Sequence, residues 1–149
     1  MVTFTFELTT YAQEAGVSGL SRGHLTISGA TNTITSKGHI PDQSMMVFMS
    51  IVDLLDGARQ FLQTPGQKQY NFVGTGCSFQ FTIKRTKGDK LLISNPTNVI
   101  DTVSVKDFVQ AIWQGTQAFL KAYESHLSAT DMVADDLYHA VQDFEETVL

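Results

Sequence analysis

The segment SFQFTIKRTKGDKLLIS, residues 78–94, decides the fold. Phe79, Phe81 and Ile83 alternate with Gln80, Thr82 and Lys84. A side-chain period of two belongs to a strand with one buried and one wet face. Residues 86–90, TKGDK, supply turn chemistry, and Leu91–Ser94 follows as the returning strand. A hairpin with one apolar face is a piece of antiparallel sheet that other elements must cover.

Working outward, Gln69–Val73 reads as a strand before this hairpin, and Val99–Val103 as a short edge strand after Pro96. Near the N-terminus, Val2, Phe4, Phe6 and Leu8 alternate with Thr3, Thr5, Glu7 and Thr9, again a half-buried strand. Residues 11–23, polar and punctuated by glycine, read as a loop. His24–Ser28 and Thr33–Lys37 form a second hairpin around Gly29, Ala30, Thr31 and Asn32, and Pro41 closes that sheet segment.

Three stretches carry helical spacing instead. Residues 44–63 place Phe48, Ile51, Val52, Leu55 and Leu62 on one face, with Ser44 as the expected N-cap and Pro65-Gly66 as the stop. Ser104, followed three residues later by Asp107, opens a helix whose stripe is Val105, Phe108, Val109, Ile112, Thr116, Phe119, Leu120 and Tyr123. Ser128 or Thr130 caps a last helix with Val133, Leu137, Ala140, Val141, Phe144 and Val148 inward.

Strands, helix, strands, helix, helix is an α+β order. It predicts one domain over residues 1–149. The expected architecture is an antiparallel sheet of about 5–7 strands, with a long central helix and two C-terminal helices packed on one face. A chain of 149 residues, 42% apolar and 17% charged, can build such a core unaided. Ten Phe supply large core side chains. The one cysteine, Cys77, excludes an internal disulfide and fits a reducing compartment. MVTFTFELTT shows no signal-peptide pattern, and the longest apolar run, Met45–Met49, is far short of a membrane span. A cytoplasmic protein without a membrane partner is the expectation.

Motifs for chemistry are sparse. Cys77 has no histidine at a nucleophile-type spacing, so it reads as a small buried residue. His24, His39 and Asp42 around the second hairpin, and Asp135, His139 and Asp143 one helical turn apart, match no metal-ligand pattern. Gly74-Thr75-Gly76 lacks the rest of a phosphate loop. Asp53 and Asp56 share a helix with Arg59 and read as surface. Lys84, Arg85, Lys87 and Lys90 make a basic hairpin tip, which reads as a solubilising end rather than a nucleic-acid site. No catalytic residue, cofactor or metal is expected.

Charge is the one uneven feature. Residues 101–149 carry nine acids against Lys106 and Lys121, a net of −7, while residues 1–100 carry a net of +2. An acidic end repels a phosphate backbone and attracts a basic protein. The candidate docking residues are Asp131, Asp135, Asp136, Tyr138, His139, Asp143, Glu145 and Glu146. Trp113 is a further aromatic beside the stripe of its helix; Tyr and Trp are enriched among interface hot spots.

The single acidic α+β domain, the lone Cys77 and the lack of a catalytic motif together resemble the small immunity proteins of bacterial toxin systems, such as those of contact-dependent growth inhibition. The resemblance covers the chain in outline and transfers no individual residue. It implies a non-catalytic inhibitor that covers a basic toxin nuclease with an acidic surface. Two alternatives have the same size and class. A secretion chaperone usually opens with a helix, where this chain opens with a strand. A small-ligand or enzymatic domain would use an apolar cavity, which Met45, Met46 and Met49 could line.

Overall fold

A computed structural model describes residues 1–149. The chain runs through strand β1 (Thr3–Leu8), helix α1 (Thr10–Ala15), and strands β2 (Arg22–Ser28), β3 (Thr33–Thr35) and β4 (Met45–Met46). Helix α2 (Val47–Leu62) follows, then strands β5 (Gln69–Val73), β6 (Gln80–Thr86), β7 (Lys90–Ser94) and β8 (Val99–Ser104). Helices α3 (Val105–Tyr123) and α4 (Met132–Thr147) complete it.

The class is α+β, but the strands divide between two antiparallel four-stranded sheets, not the single sheet expected. Strand β2 explains the split. One edge pairs with β1 along residues 23–28. The other is shared end to end, by β3 at residues 26–28 and by β4 at residues 22–23. Both edges of β2 are therefore filled by local neighbours. Helix α2 then leaves directly from β4, and the second sheet forms as the continuous meander β5-β6-β7-β8.

The outer edge of β8 is closed by the β2–β3 turn. Thr31 N donates to Ile100 O at 3.1 Å, Asn32 Nδ2 to Val99 O at 2.7 Å, and Ala30 N to an Asp101 carboxylate oxygen at 3.0 Å. The β6–β7 hairpin forms as read. Gly88 and Asp89 take φ of +76° and +58°, a left-handed pair that suits Gly and Asp.

Four local expectations need correction. Residues 11–23 include the short helix α1, capped by Thr9, whose hydroxyl accepts from Ala12 N, and ended by Gly16. Only Ala12 is buried, so no apolar stripe marked it. Ser44 does not cap α2, because Met45 and Met46 first pair with Gly23 and Arg22. Asp131, not Ser128 or Thr130, caps α4; those two hydroxyls bond each other at 2.9 Å. Finally, α4 packs mainly on α2 rather than on a sheet face, and Trp113 of α3 stacks on its Phe144 at 5.9 Å. The Ser104 cap of α3 forms as read, accepting from Asp107 N at 3.0 Å.

The end of α2 is stabilised from the second sheet. Arg85 donates through its terminal nitrogen to Phe61 O at 2.6 Å and through Nε to Gln67 O at 2.9 Å. Its guanidinium lies 4.4 Å from the centre of the Phe61 ring. A cation on the last carbonyls of a helix complements the helix dipole.

Helix α3 lies against β1 so closely that the backbones touch. A Cβ on Gly115 would fall well inside contact distance of the Phe4 carbonyl oxygen. The helix thus shields the outer edge of β1, which would otherwise offer free backbone groups. Gly115→Ala tests this approach. On an open helix the change would stabilise by about 1 kcal/mol through propensity. Here we expect a loss of about 1–3 kcal/mol, because neither backbone can yield without moving packed side chains. Urea unfolding decides: a variant as stable as the parent contradicts the approach.

Candidate functional site

Helix α4 forms because Val133, Leu137, Ala140 and Phe144 recur at helical spacing and bury against the body of the protein. The opposite face therefore points outward by geometry. It presents Asp135, Asp136, Tyr138, His139, Asp143, Glu145 and Glu146, all exposed. Tyr138 is 62% exposed and Met132, at the head of the helix, 90%. Two large apolar side chains thus stand among five acids.

None of these five acids is paired. The chain's ion pairs join Lys37 to Glu7, Arg59 to Asp56, and the N-terminal ammonium to Asp101. Helix α4 itself contains no Lys or Arg. His139 uses Nδ1 on the Asp135 carbonyl at 2.8 Å, within its own helix. The tyrosine ring packs edge-on to that imidazole at 5.5 Å.

Asp131 differs from the other expected docking residues. It is half-buried, and its two carboxylate oxygens accept from Val133 N at 3.0 Å and from Gly19 N at 2.9 Å. The first contact caps α4; the second ties the loop after α1 to the helix head. These backbone donors hold its carboxyl below the ordinary value of 3.8. It is a structural cap, not a free charge. Trp113 is also excluded as an exposed anchor, since it is half-buried on Phe144.

Elsewhere, the tertiary fold assembles a polar cluster that sequence spacing did not show. Arg22 donates through Nε to Ser44 Oγ at 3.0 Å, and through a terminal nitrogen to Ser44 O at 2.6 Å and Gly76 O at 2.9 Å. Ser44 in turn donates its N–H and hydroxyl to the two oxygens of Asp42. These bonds, the backbone one foremost, lower the Asp42 pKa. His24 binds Ser36 Oγ at 2.9 Å, and burial lowers its pKa despite nearby Asp42 and Glu7. No three His, Cys or carboxylate groups converge as a metal site requires. The cluster pins the β4 entry to α2 and the 74–77 loop in place.

Burial also raises the Cys77 thiol, outweighing the Phe79 backbone N–H and the charge of Arg22, so the sulfur is not an activated thiolate. Of the basic hairpin tip, Arg85 is consumed by α2, which leaves Lys84, Lys87 and Lys90 exposed. No known protein-family profile matches the chain, and no curated protein or solved structure does so either.

The Asp131 cap predicts a pH dependence. A depressed folded pKa contributes stability that is present above the unfolded value and lost as pH falls through the folded one. Asp131→Ala should cost about 1 kcal/mol at neutral pH, as N-cap losses do. The gap from the parent should shrink well below about pH 4, where the unfolded carboxylate protonates. Parallel urea titrations of both proteins at neutral and acid pH measure it; a pH-independent gap contradicts the cap.

Proposed function

We propose that this protein is a non-catalytic binding module that neutralises a basic protein through the outward face of α4. Such action is that of a small bacterial immunity protein on a toxin nuclease. One observation carries the reading: the five exposed acids of α4 have no cationic partner in the chain. Glu145 and Glu146 stand in the last helical turn, where the dipole disfavours negative charge by about 0.3–1 kcal/mol each. The dipole favours Asp135 in the first turn of α4 but opposes the last two. A basic surface laid on them would relieve that repulsion.

Tyr138 and Met132 fit the same role. Aromatic and Met side chains are enriched at interface centres, where charged residues are depleted. The acids around them steer association more than they add affinity.

Affinity capture from the native host, washed at rising salt, identifies the partner. We expect one stoichiometric basic protein that salt releases. With that partner, Asp135→Lys/Asp136→Lys should slow association by about tenfold or more at low salt, with the difference fading at high salt. Both side chains are exposed, so the fold should persist, with a small loss from placing Lys in the first turn of α4. If the partner is a nuclease, the parent protein should inhibit its cleavage and the double variant should inhibit poorly. Association kinetics that ignore the reversal would remove α4 from the interface.

A further inference from the structure

Away from α4, a recess lies between the free edge of β3 and the turns of the second sheet. Its volume is about 450 Å³, within the ordinary range of small-ligand sites. Thr33 and Thr35 form one wall, and residues 39–43 bring in His39 and Gln43. The opposite wall is made by residues 78–80, before and at the start of β6, and by residues 95–98 between β7 and β8. Three segments distant in sequence therefore converge.

The lining is unusual in what it lacks. No Lys, Arg, Asp or Glu contributes to it, and His39 is its one titratable group. What it holds instead is primary amides: Gln43, Gln80, Asn95 and Asn98, with hydroxyls beside them. Several amide groups keep free capacity. Gln43 makes no side-chain hydrogen bond within the chain. Asn95 Oδ1 accepts from Thr97 N, Thr97 Oγ1 and Asn98 N, which leaves its Nδ2 donor unused. Asn98 gives Nδ2 to Thr97 and keeps its oxygen free. Gln80 accepts from Asn71 at 3.4 Å and keeps its Nε2 donor.

This chemistry narrows the ligand. A phosphate or carboxylate would find no Lys or Arg, and an ammonium or metal ion no carboxylate. A flat apolar ring would find no exposed aromatic face, because Phe79 at the floor is 5% exposed. An extended peptide would need the outer backbone groups of β3. That strand is three residues long, and His39 Nε2 already occupies the Thr35 carbonyl at 2.8 Å. Side-chain amides both donate and accept, as do the hydroxyls of a sugar. We infer that this recess is a binding site for a neutral, polyhydroxylated ligand, that is, an uncharged saccharide. The inference is independent of the role proposed for α4.

Titration of the ¹⁵N-labelled protein with maltotriose, cellotriose and triacetylchitotriose, followed by NMR, tests it. The side-chain NH₂ signals of Gln43, Gln80, Asn95 and Asn98 should shift and saturate with at least one of these probes. Gln43→Ala/Gln80→Ala should weaken that binding by about tenfold, through the loss of two side-chain hydrogen-bonding groups from the wall of the recess. Asn98→Ala, at an exposed position, should also weaken it and serves if the double variant misfolds. Absence of saturable shifts with all three sugars overturns the inference. So do shifts confined to other residues, equal binding by the variants, or saturation by acetyl-tetraalanine amide in place of the sugars.

Discussion

Phe4 is where the separate parts of this fold are fastened together. Its ring meets Phe81 of the second sheet edge-on at 5.8 Å and Phe108 of α3 at 6.1 Å. Its carbonyl oxygen sits under Gly115. One residue of β1 thus touches the other sheet and a helix by side chain, and that helix again by backbone. Two residues on, Phe6 meets Phe119, which also packs on Phe48 of α2 at 5.1 Å. The edge-to-face geometry favours each of these pairs beyond the area they bury. Neither sheet is wide enough to close a core alone, so this aromatic seam, built from the alternation at residues 4 and 6, makes two small sheets and three helices share one interior.

Much of this was legible in the sequence, and the limits follow from what periodicity encodes. Alternation at Phe79, Phe81 and Ile83 reports a buried face, and all three are buried. The α3 stripe and its Ser104 cap are local, and they read correctly. Alternation does not state which strand a strand pairs with. The partition into two sheets depends on β3 and β4 sharing one edge of β2, a contact between residues 22–23 and 45–46 that no window of sequence spans. Caps were misplaced for a related reason. Ser44 has the right chemistry for a cap, but Arg22 and Asp42 hold its hydroxyl, and the strand pairing of Met45 and Met46 delays the helix.

The candidate sites divide in the same way. The acids of α4 and their outward direction could be read from charge and helical spacing alone, because a single helix carries them. Asp131 looked like one more acid, and only the fold shows both of its oxygens bound to backbone N–H groups. Arg85 looked like part of a basic tip, and only the fold places it on the carbonyls ending α2. The amide-lined recess had no sequence signal, since Gln43, Gln80 and Asn98 are far apart and ordinary in isolation.

The way the chain spends its charges links these points. Its arginines face carbonyl oxygens more than carboxylates: Arg22 on Ser44 and Gly76, Arg85 on Phe61 and Gln67. Its structural carboxylates, Asp42, Asp101 and Asp131, face N–H and hydroxyl donors. Bonds of this kind fix loops and helix ends with a direction that an exposed ion pair lacks, and exposed pairs contribute little anyway. Other charges, among them the lysines of the β6–β7 hairpin and the acids of α4, have no ion-pair partner. Unpaired charges on one helix face add their fields instead of cancelling, out to about 8 Å at physiological salt. Separating directed polar contacts for structure from unpaired charge for the surface lets α4 present negative charge without loosening the core beneath it.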